Sequence, residues 1–322
     1  MKLYPLTFQP IFKERLWGGR NLQSLYGKPL PPGLPIGESW EISDRTDDQS
    51  VIAHGPLQGK TLRWLMEQSP AELLGQRAPM PLRFPLLVKI IDAQATLSLQ
   101  VHPPPALAAS LGGEPKTEMW YVAHAGPVAE LSAGLKRGVT RAEFERKLAS
   151  QSVAECFHRI PVKRGDAMFL PSGRVHALGA ETVIFEIQQN SNTTYRVFDW
   201  NRLDRDGKAR QLHVPQSLAS IDFADVEPPL LPGGFAPAHP GLIRPLVKNE
   251  LFEVSVRQFS GGDQLCLADG RMQIVGVLEG ALGIAGPGHP LELAAGQFCL
   301  VPASCARGQF TLGGAASFLQ IY

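Results

Sequence analysis

The sequence predicts a mainly β protein made of two related β units with helical additions, and three observations carry that expectation. Short apolar runs are bounded repeatedly by glycine, proline, asparagine and aspartate, the residues that end strands in tight turns. The chain also resembles itself: with Gly126 set on Gly280, residues 117–126 fall on 271–280, and with Gly165 set on Gly296, Pro171 falls on Pro302. Between the two copies, residues 227–240 hold five prolines and the pair Gly233-Gly234, which marks a boundary. The expected organisation is a first unit over 1–226 with an N-terminal extension and a helical insertion near 135–160, a linker over 227–240, and a second unit over 241–322.

Composition narrows the function. At 322 residues the chain can bury a sizeable core. A net charge of +1, with 19% charged residues and no basic block, argues against nucleic acid as a partner. Residues 1–5 open no apolar run long enough for a signal peptide or a span, so no membrane association is expected. Cys156, Cys266, Cys299 and Cys305 are scattered and form no Cys-x-x-Cys pair, which suits a reduced cytoplasmic compartment. The sequence carries no signal for an oligomeric state.

The elements follow in order. Residues 1–56 are rich in turns; Trp17-Gly18-Gly19 is one, and Glu38 and Trp40 share a strand face, either as a sugar-contacting pair or as a half-buried strand. Residues 57–75 read as helix, with Leu62, Leu65 and Met66 at helical spacing and Ser69-Pro70-Ala71-Glu72 as a capping box closed by Gly75. Residues 84–93 form an apolar strand carrying one lysine. Lys89 either faces a wet pocket or snorkels from an edge, because a buried ammonium needs a partner.

Residues 97–122 bring the chemistry. Gln100 and His102 lie two apart, so a strand sends both to one face, and Glu118 opens the next strand-like run sixteen residues after His102. The first copy carries 23 more residues than the second between its marker glycines, 39 against 16, and Thr140-Arg141-Ala142-Glu143 is a capping box leading into Phe144 and Leu148. The insertion is therefore helical. Gly165-Asp166 and Pro171-Ser172-Gly173 bracket a short strand and leave His176 opening the following one. Two histidines and a carboxylate with open positions suit Zn(II), and also Fe(II) or Mn(II). In the second copy Met272 replaces Glu118, Gln297 replaces Asp166 and Arg307 replaces His176, so that unit is expected to hold no metal. Further on, Glu186 and Gln188 share a strand face. Arg196 is a cation inside a Tyr-Arg-Val-Phe strand, read as an anion clamp or as a surface salt bridge.

The Gln-x-His run and the Gly-Asp…His piece resemble the two motifs of the cupins. Residues 97–103, Lys116-Thr117-Glu118, residues 171–177 and residues 192–197 together resemble type I mannose-6-phosphate isomerase, over a stretch from Trp17 to Trp200. The resemblance implies two cupin-type jelly-roll units with helical additions. It implies one zinc ion per chain held by Gln100, His102, Glu118 and His176. It carries the catalytic residues onto Lys89, Lys116, Glu186 and Arg196, with Lys89, Lys116, Arg196 and Trp17 as substrate contacts. Leu178 departs from the family, which commonly has tyrosine there. The implied reaction interconverts mannose 6-phosphate and fructose 6-phosphate by moving a proton between C1 and C2 through a cis-enediol, with a small sugar phosphate as the only partner. For the general base, Glu186 and a metal-activated water both remain open. Two other classes stay in view: an iron-dependent cupin dioxygenase, in which Gln100 and the lysines would have no role, and a sugar-binding cupin without turnover.

Overall fold

The computed structural model describes residues 2–76, 79–203, 206–267, 270–286, 290–305 and 310–322. In chain order its first strands are β1 (Ile11–Gly19), β2 (Ile36–Ile42), β3 (Asp44–Arg45), β4 (Asp48–Gln49), β5 (Leu86–Ala93), β6 (Leu99–Val101) and β7 (Glu118–Ala125). They continue with β8 (Glu130–Leu135), β9 (Phe157–Pro161), β10 (Ala167–Leu170), β11 (His176–Leu178), β12 (Thr182–Gln189) and β13 (Tyr195–Phe198). The helices are α1 (Asn21–Tyr26), α2 (Leu62–Gln68), α3 (Pro70–Leu74), α4 (Pro105–Ala108), α5 (Arg141–Ala149) and α6 (Val214–Ser220). None of the described helices is long and apolar enough to cross a membrane.

One sheet runs in the order β1-β2-β5-β12-β7-β10 and a second in the order β13-β6-β11-β8-β9, with antiparallel pairing throughout. The remaining strands are β14 (Ala236–Pro237), β15 (Leu242–Lys248), β16 (Glu253–Phe259), β17 (Gln264–Leu267), β18 (Gln273–Ala285), β19 (Leu291–Ala294), β20 (Phe298–Val301), β21 (Phe310–Gly313) and β22 (Ala316–Ile321). They gather around the 13-residue β18, which pairs with β19, β20, β21 and β22. The protein is thus mainly β, built from curled antiparallel sheets, as its turn-bounded apolar runs require.

Strand alternation explains the layering. On β12 Val183, Phe185 and Ile187 point outward into a large core shared with α2, α3 and the second β unit, where Phe185 meets Phe298 at a ring-centroid distance of 5.5 Å. Ile184 points inward to a core between the first two sheets, with Trp120, Met168, Leu131 and Leu178. Leu178 is fully buried there, so the position is filled by packing rather than by a hydroxyl. A third core lies outside the second sheet, where Phe144 of α5 packs against Phe157 and Val175.

The repeat is visible in matching turns. Asp166 Oδ2 accepts from Lys163 N at 2.9 Å, and Gln297 Oε1 accepts from Ala294 N at 2.9 Å. Gly165 and Gly296, with φ of 91° and 80°, occupy the left-handed region that these turns need. Arg174 N donates to Pro171 O at 3.1 Å, as Cys305 N does to Pro302 O. Met272 is buried in the large core, whereas Arg307 lies outside the described residues.

Two expectations need correction. Trp17-Gly18-Gly19 is not a turn but the end of β1, where the register against β2 shifts between Glu14 and Gly19. Residues 57–75 do not form one helix; the chain breaks at Ser69 into α2 and α3, and α2 begins at Thr61, whose hydroxyl accepts from Trp64 N at 3.1 Å. Pro70 supplies the reason, since its ring disfavours helical geometry at Ser69, which adopts φ −151° and ψ 54° and makes no side-chain cap bond. The box at Thr140 does form, with the hydroxyl accepting from Glu143 N at 3.2 Å.

Candidate active site and metal centre

Two rows of side chains, one from each sheet of the first unit, meet across the interior. In the first sheet the register sets Trp40 beside Lys89, Lys89 beside Glu186 and Glu186 beside Trp120. In the second it sets Arg196 beside Gln100 and Gln100 beside His176. Residues opposed in an antiparallel pair share a face, so each register commits a whole row to the interior at once. Leu99 and Val101 belong to the outer core, which turns Gln100 and His102 inward.

At the centre His102, Glu118 and His176 are buried, with ligand atoms within 4.8 Å of one another. His102 Nε2 is 3.5 Å from Glu118 Oε2, and His176 Nε2 is 3.3 Å from Glu118 Oε1. His176 Nδ1 lies 3.0 Å from the Arg174 carbonyl, which takes the ring proton on that side and leaves the Nε2 lone pair facing Glu118. Trp120 packs edge-on against the His176 ring at 5.3 Å and fixes its plane. Gln100 Nε2 is 3.2 Å from His176 Nε2; half a turn of the carboxamide brings Oε1 to the same place as a fourth donor.

The electrostatics fit a cation. Burial and the neighbouring Lys116 charge push the His102 pKa down to about 3, so the ring is neutral, the form that binds metals. Burial opposes ionisation of Glu118, but Lys116 and the histidines outweigh it and hold the carboxylate well below its usual range. Both Glu118 oxygens are buried without a directed hydrogen bond. Lys116 Nζ approaches Oε2 to 2.6 Å as an ion pair. An ionised buried carboxylate beside two imidazole lone pairs is a donor set for a divalent ion.

Above the cluster opens a cavity of about 520 Å³ lined by Trp17, Lys89, Gln100, Lys116, Glu186 and Arg196, among others. Trp17, Glu38, Lys89, Gln100, Lys116, Glu186 and Arg196 therefore lie in the cavity wall and His102, Glu118 and His176 in the cluster that adjoins it, whereas Trp40 and Gln188 are buried outside the lining, Gln188 Nε2 donating to Ser191 O at 2.6 Å. Lys89 is not an edge lysine: it stands in the middle of the sheet, 2.9 Å from Glu186 Oε2 and 4.0 Å from Glu38 Oε2, with the Trp40 ring 5.2 Å away. Glu186 Oε1 accepts from Trp120 Nε1 at 2.9 Å. Glu38 accepts from Trp40 Nε1 at 2.6 Å and from Arg15 Nε at 2.7 Å; against the cost of burial, Lys89 and Arg15 draw its pKa down to about 2. Among the described residues Arg196 forms no ion pair with a carboxylate; its Nη1 donates to Gln211 O at 2.8 Å and its Nε is buried without a partner.

Sequence reasoning passed over Arg15, Ser98, Asn192, Thr194 and Arg210, which line the same cavity. Period-two spacing could have found three of them, since Ser98 alternates with Gln100, and Asn192 and Thr194 alternate toward Arg196. Arg210 gives no local signal because it arrives on a loop.

Two antiparallel sheets with an inward His-Glu-His cluster between them have the architecture of a cupin with a candidate metal site. The model for the phosphomannose isomerase type I catalytic domain matches residues 6–114. A probable mannose-6-phosphate isomerase of Bacillus subtilis is 35% identical over 319 residues, 98% of each chain. A mannose-6-phosphate isomerase of the same organism is 39% identical over 231 residues, 70% of each chain. The crystal structure of a mannose 6-phosphate isomerase from Bacillus subtilis superposes with a TM-score of 0.90 at 30% identity, covering 99% of this chain and 100% of that one. The chain belongs to the type I mannose-6-phosphate isomerase family.

Proposed function

We propose that this enzyme interconverts mannose 6-phosphate and fructose 6-phosphate, moving a proton between C1 and C2 of the open-chain sugar through a cis-enediol. The observation that carries the reading is the buried His102–Glu118–His176 cluster, adjoined through Gln100 and Lys116 by a cavity whose wall also holds Glu186 and Lys89. Gln100, His102, Glu118 and His176 would hold one zinc ion per chain, which would supply Lewis acidity where negative charge develops on a sugar oxygen.

The chain's own groups account for the rest. Lys116 is buried, which works against its charge, but Glu118 and Glu186 more than offset this and raise its pKa, so an ammonium donor faces the cavity. Glu186 Oε2 lacks a directed hydrogen bond, although Lys89 holds it by charge, and in this reading it takes the C2 proton and returns it at C1. Trp17 and Trp120, 5% and 1% exposed, wall the site against water. The same reading divides the chain into a catalytic unit over 1–226, a linker over 227–240 and a second unit over 241–322 that binds no metal. The apolar Met272 at the position matched to Glu118 supports that division.

A coupled assay on the purified chain tests the reading. Mannose 6-phosphate should be converted to fructose 6-phosphate by protein carrying zinc, without oxygen uptake; iron with oxygen consumption and no isomerisation would replace it with the dioxygenase reading.

Arg196 supplies a second test. If its fork binds substrate in a fixed orientation, Arg196→Lys keeps the charge, loses the bidentate geometry and lowers kcat/KM roughly 100-fold or more. Metal content and Tm should stay near wild type, and unchanged kinetics would make Arg196 a structural residue.

A further inference from the structure

On the far side of the first sheet lies a second cavity of about 370 Å³, within the roughly 300–1,000 Å³ usual for small-molecule sites. Phe8, Tyr26, Lys28 and Glu41 line it on one side, and Leu293 of β19 and Phe298 of β20 on the other. Among the described residues it shares no lining residue with the catalytic cavity. Its charged wall is one buried ion pair. Lys28 and Glu41 are each 7% exposed, and Lys28 Nζ stands 2.7 Å from Glu41 Oε1, which also accepts from Ser39 Oγ at 2.5 Å. Among the described residues Lys28 Nζ and Glu41 Oε2 make no other hydrogen bond or ion pair. Local structure sets the pair in place. Helix α1 ends on Gly27 at φ 62°, and Lys28 N donates back to Leu22 O at 3.2 Å, a Schellman turn that fixes the Lys28 backbone. Trp40 opposes Lys89, whereas Ser39 opposes Ile90 of the large core, so Glu41, bonded to Ser39, lies on the face away from the catalytic cavity. A buried ion pair contributes little net stability, so packing does not account for its place in a cavity wall.

We infer that this cavity is a second binding site, which takes a neutral, unphosphorylated monosaccharide by its vicinal hydroxyls. Lys28 Nζ donates to one hydroxyl and Glu41 Oε2 accepts from its neighbour, so the ligand uses the free valences of the pair without separating its charges. The C–H face of a pyranose ring buries against Phe8, Tyr26 and Phe298. Charge selects the ligand. The pair is neutral and Glu292, also in the wall, is exposed, so a phosphate would meet two carboxylates against one ammonium. A zwitterion would have to break the 2.7 Å pair to be bound by it, and a diol does not. The site stands apart from the isomerase reading, since no catalytic residue lines it.

Calorimetric titration of the metal-loaded protein with methyl α-mannopyranoside tests the site, because the ring of this probe cannot open and it carries no phosphate. One molecule per chain should bind with a Kd of about 1 mM or lower, the scale for a ligand of that size. An excess of glucitol 6-phosphate, an open-chain sugar phosphate, should leave that binding unchanged. Glu41→Gln should weaken the probe roughly 10- to 100-fold, the range for a lost charge-assisted hydrogen bond. Ala53→Phe fills the same cavity, leaves the ion pair intact and should abolish binding. Thermal unfolding of each variant checks that it folds, and if Glu41→Gln does not, Ala53→Phe decides. No saturable binding, binding displaced by glucitol 6-phosphate, or binding that survives Ala53→Phe would each overturn the site.

Discussion

With His176 replaced by alanine, the protein should keep its fold and lose both its metal and its turnover. His176 lies on a three-residue strand held between β6 and β8, so its backbone does not depend on the imidazole. Its Nε2 is one of the donors around Glu118, and the other nitrogen is fixed by the Arg174 carbonyl. Loss even of an outer partner of a metal ligand costs roughly 10- to 100-fold in affinity or activity, so deleting the ligand should cost more than about 100-fold in kcat/KM. Metal analysis should show less than one ion per chain, and Tm should fall within about 5 °C of metal-depleted wild type. A variant that retains its ion and turns over normally would remove His176 from the centre.

The second large effect is expected at Glu186. Glu186→Gln keeps the shape and removes the charge, and positioned proton transfer contributes roughly 10²- to 10⁴-fold. kcat should fall in that range with metal content unchanged. The same change leaves Lys89 with Glu38 alone, 4.0 Å away, so the variant will also be less stable. The pair Glu186→Gln with Lys89→Met should recover Tm, which assigns the loss of stability to the unpaired ammonium; because the pair also removes a wall lysine, the catalytic effect is read from Glu186→Gln alone. Wild-type kcat in Glu186→Gln would mean that Glu186 only neutralises Lys89.

Much of this site is legible in the sequence because strands convert spacing into direction. Gln100 and His102 two apart, or Glu186 and Gln188 two apart, can only share a face, and the turn residues at Gly165-Asp166 and Pro171-Ser172-Gly173 bound the strand ahead of His176. The matched glycines exposed the repeat for the same reason, since a turn requiring positive φ keeps its glycine while ligands are lost. What local pattern does not hold is the pairing between distant strands. Nothing near Lys89 announces that Glu186 stands opposite it, nor that Glu38 takes up Arg15, because those partners are chosen by register across the sheet. Arg210 was invisible for a related reason: its place depends on Asp199 anchoring a loop. The break at Ser69 was legible in Pro70, but helical spacing on both sides of it outweighed the proline.

The central claim is that the enzyme moves a proton, not a hydride, between C1 and C2. It is tested most directly by running the isomerisation in D2O to equilibrium and reading the products by NMR. Transfer through an enediol at a carboxylate that can exchange with solvent predicts deuterium at C1 of fructose 6-phosphate and, by return, at C2 of mannose 6-phosphate, in wild type and not in metal-depleted protein. Complete interconversion with no solvent deuterium in either sugar after many turnovers would contradict it.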